Sequence, residues 1–214
     1  MKEQGAKNRA FQQMQKAALQ RLCGKTAVDI EARTGIPFDY QRRVFLLSSL
    51  GVDVQILYPD YEICPVLDEW HQLLILHYLD MADGTPLSDQ LMAFGDQSSG
   101  MARGGEFDRQ SERDLSLRMG NRTVEDVEKA CRALGGTLID SNADISAVFF
   151  IFPCYPLTLK LWFADEEIQG SGRLFLDRSA SHYLSTEDAI TAASLLLEAL
   201  FQKLDALCPD GAQW

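Results

Sequence analysis

Between Asp177 and Tyr183 the chain gathers a carboxylate, a guanidinium, two serine hydroxyls, an imidazole and a phenol. His182 is one of 3 histidines, and an imidazole in a polar turn can serve as general acid, general base or metal ligand. Asp177 can orient that ring, and Arg178 can clamp a carboxylate or phosphate through its two-pronged guanidinium. His182 and Asp177 are therefore the candidate catalytic pair. Arg178, Ser179, Ser181 and Tyr183 are the candidate cofactor or ligand contacts. A structural reading competes with this one: Asp177 and Arg178 pair with each other or the backbone, the serines make turn bonds, and Ser185 or Thr186 caps a helix.

Other chemistry is weaker. Ser179 and Ser181 sit outside any Gly-x-Ser-x-Gly elbow, so a serine hydrolase triad is not expected. His71 and His77 are six residues apart, not the four that would place two ligands on one helix face. His77 reads as a partly buried core histidine whose one route to function is an approach to His182. A metal would need carboxylates such as Asp165, Glu166, Glu167 or Asp177 to complete its shell. That acidic segment reads more simply as a solvated hairpin tip, and no metal is expected. Gly100-Met-Ala-Arg-Gly-Gly-Glu-Phe-Asp108 matches neither the P-loop nor the dinucleotide fingerprint. It reads as a flexible loop or lid, with Arg103 and Arg109 as ligand contacts.

The elements around these residues are marked by period and punctuation. Phe11, Met14, Ala18 and Leu22 share a helical face over residues 8–23. A short helix spans 27–33. Val44–Leu47 and Val52–Leu57 flank Ser49-Leu-Gly51 as a hairpin. Asp68 caps a helix from Glu69 to Ala82, stopped by Asp83-Gly-Thr-Pro86. A short strand is predicted at 90–94, a loop at 95–105 and a helix from Glu106 to Met119. Thr123-Val-Glu-Asp126 reads as a capping box for a helix to Leu134. Ile145–Phe152, Leu157–Phe163 and Gly172–Asp177 form a meander, and a last helix starts near Thr186 with Glu187 and Asp188 favourable at its N-terminus. The expected fold is α+β, an antiparallel sheet of C-terminal meander plus N-terminal hairpin packed with helices. Residues 1–25 are a basic amphipathic helix, 26–207 a single domain and 208–214 a tail.

A hydrophobic fraction of 46% and a charged fraction of 24% suit a folded globular chain. The longest apolar run, Ala147–Phe152, is far below the roughly 20 residues of a spanning helix. Met1–Ala10 offers no apolar stretch for a secretory signal, so a cytoplasmic location is expected. The 5 cysteines form no Cys-x-x-Cys pair and read as reduced thiols. The net charge is −11, unevenly spread: residues 1–43 hold nine Lys/Arg against four Asp/Glu, and the remainder eleven against twenty-seven. That acidic body argues against nucleic acid as a partner. The basic N-terminal segment can dock on its own domain, in a homodimer, on a protein partner or on an anionic membrane surface, and its weak apolar face favours the first two.

Two stretches carry a family resemblance. Leu159-Lys-Leu-Trp-Phe-Ala-Asp-Glu-Glu-Ile-Gln-Gly-Ser-Gly-Arg-Leu-Phe-Leu-Asp-Arg-Ser-Ala-Ser-His-Tyr-Leu-Ser-Thr-Glu-Asp188 resembles the prokaryotic family called domain of unknown function 3786. So does Gln72-Leu-Leu-Ile-Leu-His-Tyr-Leu79 followed by Asp83-Gly84. The resemblance covers about residues 30–205. It implies an anaerobic, cytoplasmic setting with a link to cofactor, one-carbon or corrinoid metabolism, but no reaction and no catalytic residue. Some members carry a cysteine-rich iron–sulfur segment; this chain lacks those cysteines, and the cofactor is unknown. Three readings stand: an accessory protein binding a small molecule or cofactor, an enzyme using His182 oriented by Asp177, and an interaction subunit docking through its N-terminal helix. The first leads. Its pocket is expected between the last strand, the Asp177–Tyr183 turn and the segment around Arg103.

Overall fold

The alternation of Val52, Val54 and Ile56 becomes a hairpin closed by Leu50 and Gly51, both at positive φ (51° and 75°). Two successive positive-φ residues match the right-handed twist of the flanking strands. Gly51 is required there twice over, since a Cβ would also lie 2.7 Å from the Ala133 carbonyl oxygen. The computed structural model describes residues 2–97, 101–119, 122–164 and 169–207, with side chains described from Phe11 onward. The acidic tip at 165–167, Ser98–Gly100, Asn121 of a formal glycosylation sequon and the tail at 208–214 lie outside the described residues.

The expected α+β class holds, with six α-helices and two antiparallel sheets among the described residues. The helices are α1 (Lys2–Leu22), α2 (Ala27–Thr34), α3 (Glu69–Met81), α4 (Met101–Met119), α5 (Val124–Ala133) and α6 (Thr186–Leu207). The hairpin strands β2 (Val44–Ser49) and β3 (Val52–Leu57) take short edges β1 (Phe38–Asp39) and β4 (Ile63–Cys64), in the order β1-β2-β3-β4. The second sheet runs β5-β9-β8-β7-β6, from β5 (Leu91–Met92), β9 (Ser171–Asp177), β8 (Tyr155–Trp162), β7 (Ile145–Phe152) and β6 (Thr137–Leu138). The hairpin thus builds its own sheet and does not join the meander. Leu22, Phe45, Ile56, Leu74, Leu157, Leu159, Leu196 and Leu200 belong to one apolar core shared by both sheets and the helices.

Local capping explains several boundaries. Asp68 accepts from the Trp70 N–H at 2.8 Å, and Thr123 Oγ1 accepts from the Asp126 N–H at 3.2 Å. At α4 the structure differs from expectation. The helix already runs from Met101, through two glycines that read as loop. Gly104 has a packing reason: a Cβ there would meet the Phe94 carbonyl oxygen at 2.1 Å. Asp108, on the next turn, accepts from the N–H groups of Phe94 (3.2 Å) and Gly95 (2.8 Å), fixing a 3-10 turn at Phe94–Asp96 against α4.

The N-terminal helix docks on its own domain. Ala18 and Leu22 are buried, and Phe11 packs edge-to-face on Trp70 with ring centroids 5.5 Å apart. Arg21 and Lys25 both pair with Asp80 of α3, Lys25 at 2.9 Å. Burial pushes the Asp80 carboxyl up, and these two cations more than reverse that, leaving it below its ordinary range.

Candidate functional site

Asp177 ends β9 with its side chain buried. Its Oδ1 accepts from the Ser179 N–H (2.8 Å) and hydroxyl (2.6 Å), and from the Ser88 N–H (3.0 Å) and hydroxyl (2.9 Å). Burial pushes this carboxyl up, but the bonds from Ser179 and Ser88 outweigh it and hold it at about 2. Asp177 therefore caps the 3-10 turn Arg178–His182 and ties it to the segment before β5. It does not orient His182. Ser179, buried and bonded to Asp177, faces the same structural task and not a ligand.

The partner of His182 comes from the far end of α3. His182 Nδ1 lies 2.8 Å from Asp83 Oδ2 and 3.1 Å from Thr85 Oγ1. Bonds from Thr85 and from His182 depress the Asp83 carboxyl to about 2, so it is an ionised acceptor and Nδ1 carries the proton. Nε2 of His182 has no hydrogen-bond partner among the described residues, and the side chain is 47% exposed. An imidazole held through Nδ1 in this way leaves its second ring nitrogen toward solvent.

Tyr183 turns inward. Its ring is buried and stacks on Tyr78 (5.7 Å, 20°), which stacks on Phe152 (4.3 Å, 15°). Its hydroxyl donates to the Thr85 carbonyl, and burial pushes its pKa up. Tyr183, expected as a ligand contact, is instead packed within the core. Arg178 and Ser181 are exposed and three residues apart, the spacing that brings side chains onto one edge of a 3-10 turn. Arg103 is exposed and pairs with Glu187 at 3.5 Å.

A second imidazole–carboxylate pair lies deeper. His77 Nδ1 is 2.8 Å from Asp188 Oδ1, while Asp188 Oδ2 accepts from the Ser185 hydroxyl at 2.8 Å. Burial pushes Asp188 up, and His77 and Ser185 bring it below its ordinary range. His77 and His182 are thus held by separate carboxylates. His71 is buried with Nε2 2.9 Å from the Ser49 hydroxyl, and burial lowers its pKa. Among the described residues no three His, Cys, Asp or Glu side chains converge as metal ligands.

The chain matches the family described as Domain of unknown function (DUF3786) over residues 27–199. It is a DUF3786 protein. No curated protein and no solved structure matches it. The DUF3786 match begins at the first residue of α2 and stops inside α6, so α1 lies outside it.

Residues 177–183 line none of three surface clefts formed by the described residues. One, of about 270 Å³, lies between β9 and α4 and holds Arg109, an expected ligand contact. Arg173 of β9 lines the same cleft. Sequence reading missed Asp83, Thr85, Asp188 and Arg173. For Asp83 a signal existed: Asp83-Gly-Thr85 is an Asx turn, with Oδ1 accepting from the Thr85 N–H at 2.9 Å, which marks a fixed carboxylate. For Arg173 no local signal distinguishes it from any other exposed strand residue. No helix among the described residues is long and apolar enough to cross a membrane.

Proposed function

We propose that the domain binds a small anionic molecule, a carboxylate or phosphate ester, in the cleft between β9 and α4. The observation that carries this reading is an uncommitted guanidinium in a cleft whose carboxylates are both engaged. Its two carboxylates are already engaged: Asp108 by the Phe94 and Gly95 N–H groups, and Glu112 by Arg173 at 3.3 Å. The Arg109 guanidinium lines the cleft and makes no ion pair among the described residues, so its donors are open to a ligand. A guanidinium recognises an anion through charge-assisted hydrogen bonds, and Arg173 lines the same cleft. The volume suits a small metabolite or the anionic end of a larger one. The expected context, an accessory protein of anaerobic metabolism linked to one-carbon or corrinoid chemistry, rests on the family resemblance. Calorimetric titration of oxygen-free protein with di- and tricarboxylates and sugar phosphates tests this. At least one should bind, and Arg109→Ala should weaken it tenfold or more with unfolding unchanged. Equal affinity in the variant, or no binding across the panel, sinks the reading.

A second reading has its own support. His182, half exposed and oriented by Asp83, is built as a general acid/base whose free Nε2 faces outward from the pair. Turnover of a metabolite panel whose pH profile disappears in His182→Ala would favour it. Turnover unchanged in that variant would remove it.

A further inference from the structure

A cleft of about 580 Å³ runs between α4 and α6 on the other flank of α4 from the arginine cleft. Its α4 wall includes Phe107, Asp114 and Arg118, and its α6 wall includes Glu198, Phe201 and Asp205. On each helix these residues recur at intervals of three, four or seven, so each wall is one continuous helical face. The α4 face runs from Phe107 to Arg118, eleven helical rises or a groove length of roughly 16 Å.

Ion pairs close both ends. Arg103 meets Glu187 at 3.5 Å at one end. At the other, Arg118 and Arg122 meet Asp205 at 3.5 and 2.6 Å. The middle is open. Asp114 and Glu198 stand there without an ion pair among the described residues. Each accepts only a neighbouring glutamine amide one turn away, from Gln110 at 3.0 Å and Gln202 at 3.2 Å.

We infer that this groove is a binding site for a linear aliphatic polyamine. The closed end supplies the template. There the Arg118 guanidinium lies 4.7 Å from the centre of the Phe201 ring and beside the Asp205 carboxylate, so a cation already rests on an aromatic face next to an acid. The open middle repeats those parts, Phe107 with Asp114 and Glu198, with no cation of its own. The three carboxylates Asp114, Glu198 and Asp205 outnumber the two guanidiniums Arg118 and Arg122, so the groove keeps a net negative charge. A flexible chain of methylenes between ammonium groups matches this pattern. Its stem lies on Phe107 and Phe201, and its ends reach carboxylates on opposite walls. A bare metal ion does not match it, because no three ligating side chains converge there. The inference is independent of the anion reading: of the groove residues used here, none lines the arginine cleft.

Calorimetric titration of the full chain with spermidine is the test. One saturable site is expected. Asp114→Asn with Glu198→Gln should weaken it at least tenfold at unchanged thermal midpoint. The chain carries a net charge of −11, so a charge-matched control is needed. Asp53→Asn with Glu69→Gln, exposed and away from the groove, should leave the affinity within about twofold. Equal weakening in both variants would mean diffuse attraction and overturn the site. So would an unaffected groove variant, absence of binding, or saturation by a lysine-rich helical peptide where spermidine fails.

Discussion

The pairs His77–Asp188 and His182–Asp83 share one contact geometry, an imidazole Nδ1 2.8 Å from a carboxylate oxygen. Their surroundings differ. The first is 15% and 13% exposed, the second 47% and 49%. Both join the α3 end of the molecule to the junction between β9 and α6, and the tyrosines next in sequence to the two histidines, Tyr78 and Tyr183, stack between them. The inner pair has given up solvent and must be matched by its partner. In the outer pair water replaces whatever is removed, so the same contact contributes little to folding and leaves a nitrogen free for chemistry. Burial, not contact distance, separates the enclosed dyad from the exposed one.

The comparison can be broken by mutation. Asp188→Ala leaves His77 without its carboxylate and strips the Ser185 bond; it should cost about 3 kcal/mol in chemical denaturation at unchanged slope. A cost no greater than that of the matching outer variant would erase the distinction. Asp177 is a buried carboxylate with four bonds and no imidazole, and Asp177→Asn should cost about 2 kcal/mol.

Acid should sharpen the same contrast. Asp177 is depressed from its ordinary value to about 2 in the folded chain, so it favours the native state at any pH above the ordinary carboxylate range. That contribution, about 2 kcal/mol, fades as pH falls from about 4 through 2. Stability measured across this window should drop in the parent and drop less in Asp177→Asn. Asp188, also depressed, adds to the same slope.

The smallest effect belongs to the outer pair. Asp83→Ala should change stability by less than about 1 kcal/mol, because both partners are half exposed. Its signature is reactivity. Diethylpyrocarbonate should modify His182 before His77 and His71 in the parent, read by peptide mass spectrometry. Modification of His77 first would invert the ranking.

Much of the scaffold was legible along the chain. Asp68 and Thr123 announce their helices because a cap bonds within three residues of itself. Ile145–Phe152 reads as a central strand because its residues are apolar on both sides, and it lies between β6 and β8. The start of α4 was not legible, since Gly104 and Gly105 carry loop propensity and the need for Gly104 arises from the Phe94 backbone beside it. The candidate site divides along the same line. That Asp177 and the serines serve the turn is a local property, and the bond to Ser179 spans two residues. That Asp83 holds His182 is a contact between residues 99 positions apart.

By itself the amino-acid order determined the α+β class, the helix and strand bodies, the reduced cysteines' lack of any metal spacing, and the junction at 177–188 as a polar concentration. Those properties are written in periods of 2 and 3.6 residues and in side chains that bond their own neighbours. Only the tertiary structure decided which carboxylate each histidine received, that Tyr183 turned inward, and that Arg109 and Arg173 line one cleft while α4 and α6 framed an acidic groove. Such pairings depend on how elements far apart in the chain pack and on what that packing excludes from water. No short-range pattern encodes either quantity.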